Sequence, residues 1–210
     1  MKLPKTLLVL AIMLVPGIAA AQGYYGRGGG YSQSPASELP GGFHNRMGRL
    51  AFGFSLGLGG MHDNGSAVTS CNNCNYNPIA FEVDGHVGGF LTPRFALMGE
   101  LQTNGQTVHS DVYNGDTVLL SNTLMIAGQY WLSPQLWVKG GVGFATLQAQ
   151  DDYFEQDLGN GSALMGGVGF EVFSARDLAV DLQGRIIRAN YHGIDDGVTS
   201  ATVGVGINWY

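Results

Sequence analysis

The chain has 210 residues, a formal net charge of −6, and only 12% Asp, Glu, Lys and Arg. A soluble surface calls for about 25–35% charged residues, so a conventional water-facing exterior is excluded. The 34 glycines lack the third-position period of collagen, and no nucleic-acid partner is expected of so acidic a chain.

Residues 1–21 read as a secretory signal peptide. Lys2 and Lys5 form a basic start, Leu7 to Val15 an apolar run, Pro16 and Gly17 a helix break, and Ala19 to Ala21 a small-residue cleavage site. The apolar run is far short of the ~20 residues a membrane-spanning helix needs. The mature chain therefore leaves the cytoplasm and meets an oxidising environment. Residues 22–46 mix Gly, Tyr, Ser and Pro with no apolar period and read as a flexible tail.

Residues 47–210 carry a different pattern. In "LAFGFSLGLGG", Leu50, Phe52, Phe54, Leu56 and Leu58 alternate with Ala51, Gly53, Ser55, Gly57 and Gly59. This period of two defines a strand with one bulky apolar face. Further alternating segments follow at 79–91, 94–106, 116–132, 135–149, 162–173, 177–191 and 198–210, which makes eight strands. "GGVGF" occurs at Gly140–Phe144 and again at Gly166–Phe170, with Val and Phe on one face and glycine on the other. The connections "TPR", "SPQ" and "SARD" are tight turns. Longer polar stretches lie around 60–78, 107–115, 150–161 and 192–197. The expected topology is an all-β, antiparallel up-and-down meander.

The face opposite the bulky one is mostly Gly, Ala, Ser and Thr, too sparse in charge for a soluble exterior. The assignment works in reverse: the bulky face meets lipid and the small, polar face lines an interior. Bilayers admit β-structure only as closed barrels. An even strand number, short periplasmic turns and long extracellular loops are the marks of an outer-membrane barrel. Aromatic residues sort to the strand ends. Phe95, Tyr130, Trp131, Trp137, Phe173, Trp209 and Tyr210 are expected to form a periplasmic belt, and Tyr76, Tyr113, Tyr153, Phe154 and Tyr191 an outer one.

The meander ending in "ATVGVGINWY" resembles the small outer-membrane β-barrels of the OmpA transmembrane-domain, OmpX and OmpW type, over about residues 47–210. The resemblance implies a bacterial outer-membrane location and a surround of outer-membrane lipids and lipopolysaccharide. It also implies recognition of an aromatic end, Trp209 or Tyr210, by the barrel-assembly machinery. It leaves the activity open, because this architecture hosts adhesins, pores, enzymes and passive wall proteins.

Three sets of residues could carry chemistry. Inside the barrel, Lys139 and Arg185 are expected to be shared among Glu82, Asp84, Glu100 and Asp181, with His86 and Glu171 also inward. Such charges are costly in a membrane unless paired or hydrated. They form either a structural plug, the favoured reading because eight strands leave an interior that side chains almost fill, or the gate of a narrow channel. The outer loops carry Asp63, Asp111, Asp116, Asp151, Asp152, Glu155, Asp157, Asp195 and Asp196 without Lys or Arg. They could gather divalent cations, although no cofactor is expected. His62, His109 and His192, with Ser66, Ser110, Asp195 and Asp196, admit a lipid-modifying enzyme as a third reading. A strand would turn His109 and Ser110 to opposite faces, so no enzyme is expected. The favoured function is a structural or adhesin-like surface role through the acidic loops.

The two cysteines stand in "SCNNCNYN" of the first long loop. Half a zinc site, a redox pair and a disulfide staple are the alternatives. Zinc needs about four ligands and a reactive thiol needs a site that lowers its pKa. A Cys71–Cys74 disulfide is favoured, which would shape the loop tip without joining strands.

Overall fold

Strict alternation makes each segment a strand with two unlike faces, and the only closed solution for eight such strands is a barrel. In the computed structural model the described residues are 42–63, 66–67, 79–110, 115–150, 155–175, 177–192 and 197–210. The signal peptide, most of the tail and the Cys71–Cys74 pair lie outside them.

The elements are β1 (Leu50–Asp63), β2 (Ser66–Ala67), β3 (Ala80–Thr92), β4 (Phe95–Ser110), β5 (Gly115–Trp131), β6 (Leu136–Gln150), β7 (Glu155–Ser174), β8 (Leu178–Tyr191) and β9 (Val198–Trp209). Each long strand pairs antiparallel with the next, and β1 closes on β9 from Phe52↔Trp209 to Asp63↔Val198. The two-residue β2 folds back on the outer end of β1 through His62↔Ala67 and Asp63↔Ser66. The barrel proper is the eight-stranded meander of the sequence.

The barrel is inside-out relative to a soluble one. Val203 is 69% exposed and Phe144 76%, whereas Asp84, Glu100, Gln102 and Asp181 are each 1% exposed. A continuous exposed apolar surface of this kind belongs against lipid.

Several boundaries differ from the sequence reading: β1 runs to Asp63 and β4 to Ser110, inside the stretches 60–78 and 107–115 expected as loop. The stretch 150–161 was expected to be loop, yet β7 begins at Glu155 because β6 continues to Gln150 and pairs with it (Ala149↔Gln156, Gln150↔Glu155). Backbone pairing carries these polar strands beyond the apolar band. At the other end, Phe43 and Arg46, assigned to the flexible tail, are 7% and 4% exposed. Their burial has a packing cause, described below.

The aromatic belt also needs correction. Tyr130 and Phe173 face outward, 43% and 53% exposed, while Phe95 and Trp209 are half-buried. Trp131, Trp137 and Tyr210 point into the barrel and are buried. Successive residues on a strand face opposite ways, so Tyr130 and Trp131 cannot share a belt. Tyr191 likewise points inward and shares a 2.7 Å hydrogen bond with Ser121 Oγ. Tyr76, Tyr113, Tyr153 and Phe154 lie outside the described residues.

Candidate functional site

The lumen is the site, and its contents follow from the inward positions of each strand. Residues two apart share a face, which places Glu82 and Asp84 of β3 side by side, Glu100 and Gln102 on β4, and Gln183 and Arg185 on β8. The closed register then brings these strands face to face across the interior.

Arg185 is the hub. Its Nη1 lies 3.2 Å from Glu82 Oε1 and 3.0 Å from Glu100 Oε1, and its Nη2 lies 3.3 Å from Asp84 Oδ1. Nη1 also donates to Gln102 Oε1 at 2.9 Å and Nη2 to Gln183 Oε1 at 3.2 Å. Lys139 Nζ is 3.1 Å from Glu100 Oε2, so Glu100 is held between two cations. Ser55 Oγ donates to Asp84 at 3.2 Å, His86 Nδ1 is 3.4 Å from the same oxygen, and Thr202 donates to Glu82. A guanidinium with five donors in a planar fork suits a hub with several acceptors.

Asp181 does not join this network as an ion pair. Among the described residues its partner is Asn208, whose Nδ2 donates to Oδ2 at 2.8 Å. The reason is register: Asp181 pairs with Glu171 on β7 and Gly206 on β9, nearer the periplasmic end than Arg185 on the same strand.

A second cluster fills the periplasmic mouth. Arg46 reaches in from the segment before β1 and donates to both oxygens of Glu171, at 3.0 and 2.9 Å. Trp131 Nε1 and the Tyr210 hydroxyl donate to Glu171 Oε1 at 2.8 and 3.1 Å. The Arg46 guanidinium lies 4.1 Å from the centre of the Tyr210 ring, 5.1 Å from Trp131 and 5.8 Å from Phe90. These are cation–π distances. The inward turn of Trp131 and Tyr210 and the burial of Arg46 thus have one cause. Sequence reasoning missed this cluster. The signal within reach was Glu171, an inward carboxylate near the mouth, whose cation comes from the segment before β1.

Above the Arg185 cluster, toward the outer end, the lumen is lined by amides. Gln102 Nε2 donates to Asn104 Oδ1 at 3.4 Å, and the Met61 backbone N–H donates to Gln106 Oε1 at 2.8 Å. Among the proposed rim residues, His62 is the next-to-last residue of β1, and His192 Nδ1 lies 3.1 Å from the Asn160 carbonyl. The side chains of His109, Ser66, Ser110, Asp195 and Asp196 lie outside the described residues. Of the outer-loop acids, the side chains of Asp63 and Asp157 are described; Asp157 accepts from Gln148 Nε2 at 2.8 Å.

A closed eight-stranded antiparallel barrel with an apolar exterior and a charged, packed lumen is an integral membrane β-barrel. The chain belongs to the family of the outer membrane protein beta-barrel domain, whose family model matches residues 6–210. It is a protein of the bacterial outer membrane. Among solved structures it is similar to Ail, the attachment invasion locus protein of Yersinia pestis, in complex with the heparin analogue sucrose octasulfate. That match has 12% identity and a TM-score of 0.51, covering 76% of this chain and 98% of Ail. Neisserial surface protein A is similar at 11% identity and a TM-score of 0.50, covering 76% of this chain and 95% of that one. At such identities the likeness is one of fold. No curated protein matches the chain in sequence.

Proposed function

We propose that this protein is a non-conducting outer-membrane anchor that acts through structural and surface contacts of its acidic outer loops. The observation that carries the reading is the filled lumen. Arg46 with Glu171 closes the mouth, and Arg185 with Glu82, Asp84 and Glu100 crosses the interior above it. An interior of eight strands has little room beyond its own side chains, and here those side chains are tied to one another. Function then falls to what the barrel displays.

The outer loops and the strand ends that lead into them carry nine Asp and Glu, from Asp63 to Asp196, and the stretches 60–78, 107–115, 150–161 and 192–197 hold no Lys or Arg. Such a surface suits a basic partner or divalent cations rather than a polyanion of the kind bound to Ail. Assembly belongs to the other end. Trp209 is the terminal aromatic on the outward side, stacked on Phe52 at 5.3 Å between ring centres, and it is the residue this reading presents to the assembly machinery. Tyr210 is enclosed.

Planar-bilayer recording of the refolded full chain tests the proposal. No discrete current steps are expected from the wild type. Steps that vanish when the chain is heat-denatured would replace the anchor with a channel.

A further inference from the structure

Above the apolar band the outward face carries a polar collar, and its two halves are built differently. Across β4 to β7, Thr103 Oγ1 donates to Asn122 Oδ1 at 2.7 Å and Asn122 Nδ2 to Gln148 Oε1 at 3.3 Å. Gln148 Nε2 then donates to Asp157 Oδ1 at 2.8 Å. This run closes on protein acceptors and ends at an anion. Across β7, β8, β9 and β1 the collar holds Ser162, Asn190, Arg188, Thr199 and His62. Ser162 faces Asn190 in register, Arg188 faces Thr199, and Thr199 faces His62.

Arg188 sets this second half apart. Its Nη1 donates to Thr199 Oγ1 at 3.1 Å, and among the described residues no carboxylate lies within ion-pair distance. Most of the five guanidinium donors therefore have no acceptor among the described residues. Arg188 stands about ten residues along β8 from its periplasmic start, the length a barrel strand needs to cross the hydrocarbon. Leu164 beside it and Ile186 below it are exposed to lipid at 62% and 58%. Among the described residues it is the only Lys or Arg facing outward at this end. Lys139 and Arg185 point into the lumen, and Arg46, Arg49 and Arg94 lie at the periplasmic end.

We propose that Arg188, flanked by Asn190 and Thr199, binds the phosphate of an anionic lipid headgroup in the outer leaflet, with the acyl chains along Leu164, Ile186 and Val203. A planar guanidinium matches a phosphate through paired N–H donors. The acidic loops above repel free anions from solution, whereas a lipid phosphate reaches this depth through the membrane. The site combines one cation, neighbouring polar groups and an apolar wall directly beneath, which is the profile of a phosphorylated amphiphile.

Native mass spectrometry of the refolded full chain in detergent provides the test. The probes are bis-phosphorylated lipid A, its dephosphorylated counterpart, and inorganic phosphate as a competitor. The wild type is expected to retain the phosphorylated lipid in preference to the dephosphorylated one. Arg188→Gln should reduce that preference about fivefold, the scale of one cation at an anionic lipid surface. Arg188→Lys should retain part of it, and Arg94→Gln at the opposite end should leave it unchanged. Heat-dependent gel mobility establishes that each variant has folded. The proposal is overturned by equal retention of both lipids, by full preference in a folded Arg188→Gln variant, or by displacement with an equal concentration of inorganic phosphate. None of these readouts depends on conductance, so the anchor reading and the lipid site fail separately.

Discussion

Arg185 and Arg46 are both buried arginines bonded to carboxylates, yet they are held by different parts of the chain. Every partner of Arg185 sits on a barrel strand, and three carboxylates from β3 and β4 converge on it. Arg46 comes from outside the strands, has one carboxylate in a two-pronged bond, donates to Ser174 Oγ at 3.4 Å, and is flanked by aromatic rings. The first cluster is a product of register alone. The second brings together the segment before β1 and the residue after β9, since Arg46 and Tyr210 both meet Glu171 of β7. One stabilises the wall, while the other joins the two ends of the domain.

Arg185→Met should break the first cluster with the largest effect. It leaves Glu82, Asp84 and Glu100 buried with Lys139 as the remaining bonded cation. Removing one partner from such a set costs about 3–5 kcal/mol, read as the shift in urea unfolding of the detergent-folded barrel. A smaller effect is expected at the mouth. Glu171→Gln keeps an acceptor for Trp131 and Tyr210 but removes the charge facing Arg46, a loss of about 2 kcal/mol for a charge-assisted bond. A double-mutant cycle with Arg46→Met should give clear coupling, and additivity of the two changes would mean that Arg46 and Glu171 do not act as a pair.

The third prediction concerns packing in the lower lumen. Gly169 faces Trp137 across β6 and β7, and a Cβ there would overlap the indole, whose ring centre lies 5.4 Å from Lys139 Nζ. Gly169→Ala should cost about 1–2 kcal/mol through overpacking. Gly166→Ala, where a Cβ meets nothing within 4 Å, should be neutral by the same unfolding measurement. Equal effects would mean that the lower lumen is looser than its contacts imply.

Much of this was legible in the residues. The alternation of Leu50, Phe52 and Phe54 with small residues marks the lipid face, and the same rule places Glu82, Asp84, Glu100 and Arg185 inside. The missed features share a different character. Asp181 and Arg185 both point inward, but only the stagger of paired strands decides that Arg185 reaches Glu82 and that Asp181 meets Asn208. Trp131 looks like a belt residue by distance from the turn, and a parity count from Tyr130 would have turned it inward. Arg46 lies in a glycine-rich stretch whose composition reads as tail, because the partners that bury it come from β5, β7 and the C-terminus.

By itself, the sequence determined the strand count, the order of the meander, which face meets lipid and the compartment. These depend on local periodicity and on turn chemistry, which neighbouring residues specify. Only the tertiary structure decided which buried charges pair and how the mouth closes. Those depend on the closure of β1 on β9 and on contacts such as Arg46 with Glu171, 125 positions apart, and no local pattern encodes a distance across a closed barrel.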